Sequence, residues 1–274
     1  LGDIVTRCTS VTTLKERFSQ TRVIVGTTSS VTAHLPLIQM QRFSLCIVDE
    51  ASQILEPHLL PLLSLCCSDG LPCITKFVMI GDHKQLPAVV QQRTRDSKVR
   101  EPLLNAIGLE DCRNSLFERL LSRYRNNPAV CYMLTRQGRM HRDIAHFPNI
   151  AFYGGMLHEV PLDHQISSSP TSRIRFVDVV PYPDSLSDKV NLAEAQVIAS
   201  ELIRIWSESK NAFKPMETVG VIVPYRNQIS AIRSVLAEML GAPEHPLLQI
   251  SIDTVERYQG SQRKYIIFGF TVQK

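Results

Sequence analysis

The sequence predicts an α/β protein whose sheets are mostly parallel. Short apolar runs rich in valine and isoleucine alternate with longer amphipathic stretches along the 274 residues. Several runs are apolar at consecutive positions, which is typical of strands covered on both faces. This alternation favours parallel strands connected by helices. The predicted strands cover residues 22–27, 45–49, 77–82, 174–179, 219–223, 248–253 and 265–270.

Three of the intervening helices carry readable start or stop signals. Ser115 followed by Glu118 forms a capping box, which predicts a helix to about residue 124. Asn191 is a candidate cap for a helix with apolar residues at helical spacing. A third apolar stripe ends near Gly241. Between the elements, residues 91–100 are predicted to be a surface insertion, residues 125–128 a domain boundary and residues 184–189 a loop.

Composition narrows the class of protein. Hydrophobic residues make up 44% of the chain and charged residues 20%, which suffices for one large domain or two of ordinary size. The net charge of +4 permits a nucleic-acid groove without arguing for one. No apolar run is long enough to span a membrane, and no signal peptide opens the chain. The seven cysteines form no C-x-x-C pair, which predicts reduced thiols in a cytosolic protein rather than disulfides or zinc.

The first motif with chemical content runs from Cys46 to Gln53, where an apolar strand ends in Asp49 and Glu50. Ligands of parallel α/β sheets bind beyond the carboxyl ends of the strands. A strand-terminal aspartate there can hold Mg²⁺, and the next glutamate can orient or deprotonate an attacking water. The alternative is a pair of carboxylates that only solvates a strand end.

Three further segments add candidate groups. Gln85 follows a second apolar strand within Gly-Asp-His-Lys-Gln-Leu-Pro, and its amide can both donate and accept hydrogen bonds toward a γ-phosphate. Arg139 is a candidate arginine finger, because a guanidinium stays charged and binds phosphate oxygens in a fork. Gly260 lets backbone N–H groups approach a phosphate closely. Each has a plainer interpretation: an ordinary turn, a solvated charge and a turn glycine.

Taken together, the order and spacing of these segments resemble superfamily 1 helicases. The similar branch is the one typified by the nonsense-mediated-decay RNA helicase and the Okazaki-fragment helicase–nuclease. Asp49–Gln53 resembles motif II, Gly81–Pro87 motif III, Gln137–His141 motif IV and Thr254–Gly260 motif V. The resemblance covers nearly the whole chain.

The resemblance implies two RecA-like domains, at residues 1–128 and 129–274, with ATP and Mg²⁺ bound between them. It implies that the first domain is incomplete at its N-terminus and the second at its C-terminus. Asp49 would serve the metal, Glu50 the hydrolytic water, and Gln85 and Arg139 the γ-phosphate. Gln137, Gly260 and Gln262 would also contact the nucleotide. Single-stranded nucleic acid would lie across both domains, with movement from 5′ to 3′, against Thr27, Thr28, Ser29, Pro224, Tyr225 and Thr254.

The chain departs from the family pattern in several places. No G-x-x-x-x-G-K-[ST] occurs, so the phosphate-cradling loop is expected upstream of the first residue, and motif VI is expected after the last. The chain alone is therefore expected neither to bind ATP tightly nor to hydrolyse it. Gly138 stands where relatives often carry tyrosine, and Gln262 where they usually carry glutamate. Glutamine can still accept a ribose hydrogen bond, but without charge.

Two other classes compete with the motor. One is a non-catalytic nucleic-acid-binding or scaffold protein on a helicase fold, against which the intact Asp49, Glu50, Gln85 and Arg139 argue. The other is an unrelated α/β nucleotide-binding enzyme, which leaves the motif V resemblance unexplained. A monomeric intracellular motor is expected, in the cytoplasm or the nucleus, linked to further domains of the same polypeptide. The sequence does not distinguish DNA from RNA.

Overall fold

The structure, a computed structural model, describes residues 10–167, 172–180, 182 and 189–271. Its strands are β1 (Cys46–Val48), β2 (Phe77–Met79), β3 (Arg136–Gln137), β4 (His158–Glu159), β5 (Val219–Val223), β6 (Ser251–Thr254) and β7 (Tyr265–Phe268). Its α-helices are α1 (Val11–Gln20), α2 (Thr28–Ala33), α3 (Leu35–Ile38), α4 (Glu56–Leu63), α5 (Thr94–Ser97), α6 (Pro102–Ala106), α7 (Leu116–Tyr124), α8 (Arg142–Tyr153), α9 (Asp163–Ile166), α10 (Leu192–Ser209), α11 (Arg226–Leu240) and α12 (Val255–Tyr258). Short 3₁₀ turns occupy Ala51–Gln53, Lys210–Ala212 and Pro246–Gln249.

Contacts divide the chain into two units, Leu1–Ser167 and Ser168–Lys274. Both units contain helices and parallel strands, so the predicted mixed α/β class with parallel sheets is confirmed. The predicted domain division after residue 128 falls inside the first unit, and the assignment of residues 1–128 and 129–274 to two RecA-like domains stays a prediction.

The first unit is built on small parallel sheets and small cores. β1 pairs with β2 in register, with Val48 beside Met79, and β3 pairs with β4. One face of the β1–β2 sheet packs on α4 and α7 through Val48, Leu59 and Leu116. Ile47 on the opposite face is 60% exposed. This sheet is therefore held mainly from one side by the described residues.

The second unit has a larger core. β6, β5 and β7 form a parallel sheet with β5 in the centre. β5 turns Val219, Val221 and Val223 toward α10 and α11, and none of the three is exposed to solvent. Alternate residues of a strand face opposite sides, so one side of this sheet carries the core. Thirteen buried apolar residues make up that cluster, and their burial favours the folded state of this unit.

Two side chains fix the entry to α10. The Asn191 side chain accepts a hydrogen bond from the backbone N–H of Glu194 at 2.9 Å, as predicted for a cap. Gln228 of α11 is fully buried, and its amide accepts from the Asn191 N–H at 2.8 Å and donates to the Asn191 carbonyl at 2.9 Å. The start of α10 is thereby joined to α11 by a pair of hydrogen bonds.

The other predicted helix boundaries are confirmed. Ser115 caps α7 by accepting from the Glu118 N–H at 3.1 Å. α11 ends at Gly241, which has a left-handed φ of 59°. Such a C-terminal glycine avoids the steric cost that a Cβ would bring in this conformation.

Two predicted strands are wrong. Residues 22–27 and 174–179 are described, yet they pair with none of the strands that the structure describes. Their apolar side chains are largely exposed, with Val25 at 91% and Phe176 at 85%. A strand requires a neighbour for its hydrogen bonds, and an apolar run alone does not supply one. The predicted strands at residues 45–49, 77–82, 248–253 and 265–270 are present in shortened or shifted form, while residues 219–223 match fully.

Two loop predictions have different outcomes. The predicted surface insertion at residues 91–100 is mostly exposed, but it contains α5, and Ser97 within it is only 2% exposed. An antiparallel bridge from Lys98 to Asp111 ties this segment to the following chain. Of the predicted loop at residues 184–189, positions 184–188 lie outside the described residues.

The prediction that all cysteines are reduced is wrong for one pair. Cys67 and Cys73 form a disulfide, while the described Cys46, Cys66 and Cys112 are free, as is Cys131. The chain folds back between them, because Gly70 N–H donates to the Cys67 carbonyl. This turn brings the two Cα atoms to 5.2 Å, within the range that a disulfide spans.

Among the described residues, no helix has both the length and the apolar character needed to cross a membrane.

Candidate functional site

The first candidate site lies at the carboxyl edge of the β1–β2 sheet. Asp49 and Glu50 follow β1 directly, and the segment from Ile80 to Gln85 follows β2. Because β1 and β2 are parallel and in register, both segments leave the sheet at the same edge. The structure therefore places Asp49, Glu50 and Gln85 at one end of one sheet, as the motif analysis predicts.

Glu50 occupies an unusual backbone conformation. Its φ of 51° and ψ of 38° are left-handed, a region that residues other than glycine seldom adopt. Its N–H donates to Asp49 Oδ1 at 3.0 Å, and its carboxylate accepts from Gln53 Nε2 at 2.8 Å. The following 3₁₀ turn is anchored because Ala51 N–H donates to the Ile80 carbonyl at 2.7 Å. Strain of this kind persists only where the surrounding structure holds it, and it clusters at functional sites.

The two strand-end segments touch at Gly81. A Cβ on Gly81 would lie 2.8 Å from the backbone nitrogen of Ser52, closer than real contacts allow. The backbone N–H of Asp82 donates to Ser52 Oγ at 3.1 Å. Glycine at position 81 is thus required for the close approach, and Ser52 fastens the carboxylate segment to the Gln85 segment.

Asp82 is the centre of a hydrogen-bond network. Its Oδ2 accepts from Gln85 Nε2 at 2.9 Å and from the Tyr153 hydroxyl at 2.5 Å. Its Oδ1 accepts from the Lys84 N–H at 2.9 Å. Burial alone would raise the pKa of Asp82, but these three donors and the nearby His83 lower it overall. The carboxylate is therefore charged at neutral pH, and Gln85 is held on it.

The pKa of Tyr153 is shifted in the opposite direction from that of Asp82. Burial raises its pKa, and the hydrogen bond to the Asp82 carboxylate raises it further. The phenol therefore stays protonated at neutral pH, and its O–H group donates a hydrogen bond to Asp82 Oδ2. This bond joins the end of α8 to the segment that follows β2.

The loop at Gln137–His141 is closed by its own first side chain. Gln137 Oε1 accepts from the N–H groups of Arg139 at 3.1 Å and Met140 at 2.8 Å, and its Nε2 donates to the Met140 carbonyl at 2.7 Å. The loop leads into α8, which His141 caps through a bond from the Asp143 N–H. The structure thus gives Gln137 a loop-shaping part, while its predicted nucleotide contact stays a prediction.

The buried side chain of Gln165 hydrogen-bonds to the backbone of this loop. Gln165 is fully buried, and its Nε2 donates to the carbonyls of Gln137 at 2.9 Å and Met140 at 3.1 Å. Arg139 itself is exposed at the surface of the same loop. The backbone that carries the Arg139 guanidinium is therefore fixed by two amide side chains.

An open cleft of about 470 Å³ lies beside this loop. Gln137, Arg142, His146, Asp143 and Glu159 are among the residues that line it. The lining carries charges of both signs, so it does not select an anion by charge alone.

The second candidate edge belongs to the β6–β5–β7 sheet. Val223 at the end of β5 pairs with Thr254 at the end of β6, so Pro224 and Tyr225 emerge beside Thr254. Tyr225 is 41% exposed and precedes α11, whereas Thr254 is only 9% exposed. The structure therefore brings together three of the six predicted nucleic-acid contacts.

Gly260 and Gln262 follow on the same stretch of chain. Gly260 has a left-handed φ of 79°, and an added Cβ would meet open space. Its glycine identity therefore serves the backbone conformation rather than packing. Gln262 is exposed.

The remaining predicted nucleic-acid contacts surround the start of α2. Thr27 caps this short helix by accepting from the Ser30 N–H at 3.1 Å, and Thr28 and Ser29 form its first turn. Thr27 and Ser29 are exposed. Their hydroxyl groups are thus accessible, although Thr27 already uses its oxygen within the helix cap.

The residues at the first edge fit a magnesium ion that arrives with a nucleotide. Among the described residues, no group of three or more histidine, cysteine, aspartate or glutamate side chains could form a protein-only metal cage. Mg²⁺ usually keeps several waters and binds one or two carboxylates together with substrate phosphates. Asp49 is exposed at the strand end and could supply one such carboxylate.

Three residues of this site have no role in the motif analysis: Ser52, Asp82 and Tyr153. Ser52 and Asp82 lie inside the recognised motifs, so their position in the chain was a usable signal. Tyr153 is 71 residues from Asp82, and no local pattern indicates that the two would meet.

A parallel sheet with two carboxylates and a glutamine at its carboxyl edge defines a nucleotide-binding α/β protein, and it fits a RecA-like helicase fold. Comparison with known proteins agrees. The family described as an AAA domain matches residues 112–274, and a second family with the same description matches residues 7–93. The chain belongs to this family, within the superfamily 1 helicases, and the resemblance predicted from the motifs is confirmed.

Individual relatives are similar over nearly the whole chain. The DNA replication ATP-dependent helicase/nuclease DNA2 of Gallus gallus is 28% identical over 95% of this chain and 23% of its own length. The DNA replication ATP-dependent helicase/nuclease JHS1 of Arabidopsis thaliana is 29% identical over 95% of this chain and 18% of its own. The DNA polymerase alpha-associated DNA helicase A of Saccharomyces cerevisiae is 27% identical over 94% and 38%. The chain thus spans about a fifth to two fifths of these relatives.

Proposed function

We propose that this chain is part of an ATP-dependent helicase or translocase motor that acts on single-stranded nucleic acid. The observation that carries the proposal is the shared carboxyl edge of β1 and β2, where Asp49, Glu50 and Gln85 stand together in a member of a helicase family. The names of its relatives support ATP-driven work on DNA. Movement from 5′ to 3′ is part of the proposal, and it rests on the family resemblance.

Each group at the edge has a proposed part in hydrolysis. Asp49 contributes a carboxylate to the metal that accompanies ATP, which would shield the phosphate charge. Glu50 orients the attacking water and accepts its proton. Gln85 turns from Asp82 to the γ-phosphate and reports its presence. The setting of Glu50 supports this assignment, because its backbone is strained and its carboxylate is held by the bond from Gln53 Nε2.

Arg139 is the proposed arginine finger, with Gln137, Gly260 and Gln262 as further nucleotide contacts. The loop that carries Arg139 is held by the amides of Gln137 and Gln165, so its guanidinium projects from a fixed backbone. A guanidinium placed in this way stabilises the charge that develops on the transferring phosphoryl group. We propose that these four residues contact the bound nucleotide in addition to Asp49, Glu50 and Gln85.

The proposed nucleic-acid contacts lie at the start of α2 and at the carboxyl edge of the β6–β5–β7 sheet, and they do not read sequence. Thr27, Thr28 and Ser29 would hold the phosphate backbone at the first place, and Pro224, Tyr225 and Thr254 at the second. Hydroxyl and backbone amide groups bind phosphates of any sequence, which suits a motor that must pass over all of them. The affinity should fall as salt rises, because counterions are released on binding.

The decisive experiment replaces Glu50 with glutamine in the full-length protein that carries this chain. Glu50→Gln keeps the shape of the side chain but removes its ability to take a proton. We expect ATP binding to be retained and nucleic-acid-stimulated phosphate release to be largely lost. Glu56→Gln is not a suitable control, because Glu56 pairs with Arg119 inside the fold. Glu110→Gln is a better one, since it alters a carboxylate that lies outside the motifs.

An unchanged rate in Glu50→Gln would contradict the assignment of Glu50. Absence of any nucleotide hydrolysis by the unaltered full-length protein would instead favour the second candidate, a non-catalytic nucleic-acid-binding or scaffold protein. Such a protein should still bind single strands in a salt-dependent manner. We place the working motor inside the cell, in the cytoplasm or the nucleus, because two of the relatives are named for DNA replication.

The chain by itself is proposed to lack tight ATP binding. Most phosphate affinity in such sites comes from a glycine-rich loop with its lysine, and the sequence contains no such loop. Calorimetric titration of the chain with Mg-ATP tests this. Micromolar affinity would show that another phosphate site exists among these residues.

A further inference from the structure

Two side-chain donors share a single carboxylate oxygen in the first unit. Gln85 Nε2 and the Tyr153 hydroxyl both donate to Asp82 Oδ2, at 2.9 Å and 2.5 Å. The other oxygen of Asp82 is occupied by the Lys84 N–H. If Gln85 moves away from Asp82, the Tyr153 hydroxyl therefore becomes the only one of these two side-chain donors left on Asp82 Oδ2.

We propose that Tyr153 is a positioning residue for Gln85 and acts through Asp82. The inference rests on the proposed function, in which Gln85 leaves Asp82 to contact the γ-phosphate. Tyr153 keeps the Asp82 carboxylate hydrogen-bonded during that movement, so the release of Gln85 costs less. Gln85, rather than Tyr153, touches the nucleotide.

The physical argument follows from what Asp82 loses. A half-buried carboxylate that gives up a donor must be compensated by another donor or by water. The Tyr153 hydroxyl is already on the same oxygen and can shorten its bond when Gln85 departs. A phenylalanine at position 153 leaves Asp82 dependent on Gln85, which then remains on the carboxylate. Gln85 would then stay on Asp82 instead of contacting the γ-phosphate.

The same contact reaches the segment that carries Arg139. Tyr153 is the last residue of α8, and α8 begins at Arg142, directly after the Gln137–His141 loop. Gly154 ends the helix with a left-handed φ of 60°, so the chain turns away immediately after Tyr153. α8, which contains Pro148, therefore connects the Asp82 contact to the Arg139 loop along the chain.

The test is a double-mutant cycle in the full-length protein, with steady-state ATP hydrolysis measured in the presence of single-stranded nucleic acid. The variants are Tyr153→Phe, Gln85→Ala and the combination of both. Tyr132→Phe is the control, because that phenol is 87% exposed and removing its hydroxyl alters no part of the network. All four are compared with the unaltered protein for kcat and KM.

We expect Tyr153→Phe to lower kcat about tenfold, the scale of one hydrogen bond to a charged group, with KM for ATP changed by less than about twofold. In the Gln85→Ala background, the same change should have no further effect, because Tyr153 has no sensor left to position. Tyr132→Phe should match the unaltered protein.

Two results would overturn the inference while leaving the motor intact. One is a Tyr153→Phe protein as active as the unaltered one. The other is a loss of the same size with and without Gln85, which is the behaviour of a merely structural contact. A full-length protein without any ATP hydrolysis would instead overturn the proposed function, so the two failures are distinguishable.

A measurement without nucleotide checks the contact on the chain itself. The unaltered chain and the Tyr153→Phe variant are both titrated by ultraviolet absorbance. The difference between the two curves reports the ionisation of Tyr153. We expect a pKa above the ordinary value for tyrosine, because the phenol is partly buried and donates to a carboxylate. The Asp82→Asn substitution should return the pKa toward that value. An ordinary pKa in the unaltered chain would contradict the contact, even if Tyr153→Phe proved too unstable for kinetics.

Discussion

The two units of this protein differ in the size of their apolar cores. The second unit gathers thirteen buried apolar residues around β5, whereas the clusters of the first unit contain four and three. The first unit has a dense set of side-chain hydrogen bonds at its sheet edge, centred on Asp82. The difference indicates that the second sheet owes its stability mainly to burial, while the proposed chemistry sits where polar contacts fix individual side chains.

The largest expected effect is a loss of ATP hydrolysis, and it tests whether the first unit carries the proposed chemistry. Arg139→Ala in the full-length protein should lower nucleic-acid-stimulated ATP hydrolysis by about 10³-fold or more, the range seen for arginine fingers. Arg142→Ala is the matched control, because it removes a guanidinium three residues away that is 67% exposed. An Arg139→Ala protein that hydrolyses ATP normally would reduce Arg139 to a surface charge.

The next effect concerns the apolar core of the second unit. Leu202 is fully buried in α10, and Leu202→Ala should lower the free energy of unfolding by about 2–5 kcal/mol. Leu192 lies on the same helix but is 52% exposed, so Leu192→Ala should cost much less. Chemical denaturation of both variants measures the difference. Equal losses would mean that burial is not what stabilises this unit.

A smaller effect is expected at the polar edge of the first unit. Gly81→Ala places a methyl group against the Ser52 backbone nitrogen, and overpacking of this kind costs about 1–3 kcal/mol. At Gly138, the nearest atom to an added Cβ is 3.7 Å away, which is ordinary contact. Gly138→Ala should therefore be tolerated. Thermal unfolding of the two variants decides whether the edge is as tight as the geometry indicates.

The smallest effect is a pH dependence. The pKa of Asp82 is lowered in the fold, so its charged form stabilises the native state above the pKa of an unfolded aspartate, about 3.9. This contribution is lost as the pH falls through the lower folded pKa. The stability difference between the unaltered chain and Asp82→Asn should therefore shrink below about pH 4. A difference that does not vary between neutral and acid pH would exclude a charged role for Asp82.

Local patterns were sufficient for some elements and not for others. β5, the caps of α7 and α10 and the end of α11 follow from residues within one or two turns of each other. The shared edge of β1 and β2 follows from strand direction alone. Helicase membership follows from the spacing of four motifs, each weaker by itself.

What the sequence did not predict depends on distant partners. Residues 22–27 have the composition of a strand, but no strand among the described residues lies beside them to bond. The Cys67–Cys73 disulfide depends on how one turn closes, and the Tyr153–Asp82 bond spans 71 positions. The strained backbone of Glu50 is likewise invisible in the sequence, because glutamate gives no sign of a left-handed residue.

The buried amide of Gln228 has a consequence for what can replace it. Its oxygen accepts from the Asn191 N–H and its nitrogen donates to the Asn191 carbonyl, so one side chain serves both backbone groups of a single residue. Asn191 is only 4% exposed, so water has little access to these groups. A leucine at position 228 would remove both bonds from a buried site, a loss on the scale of about 1–3 kcal/mol for each polar group left without compensation.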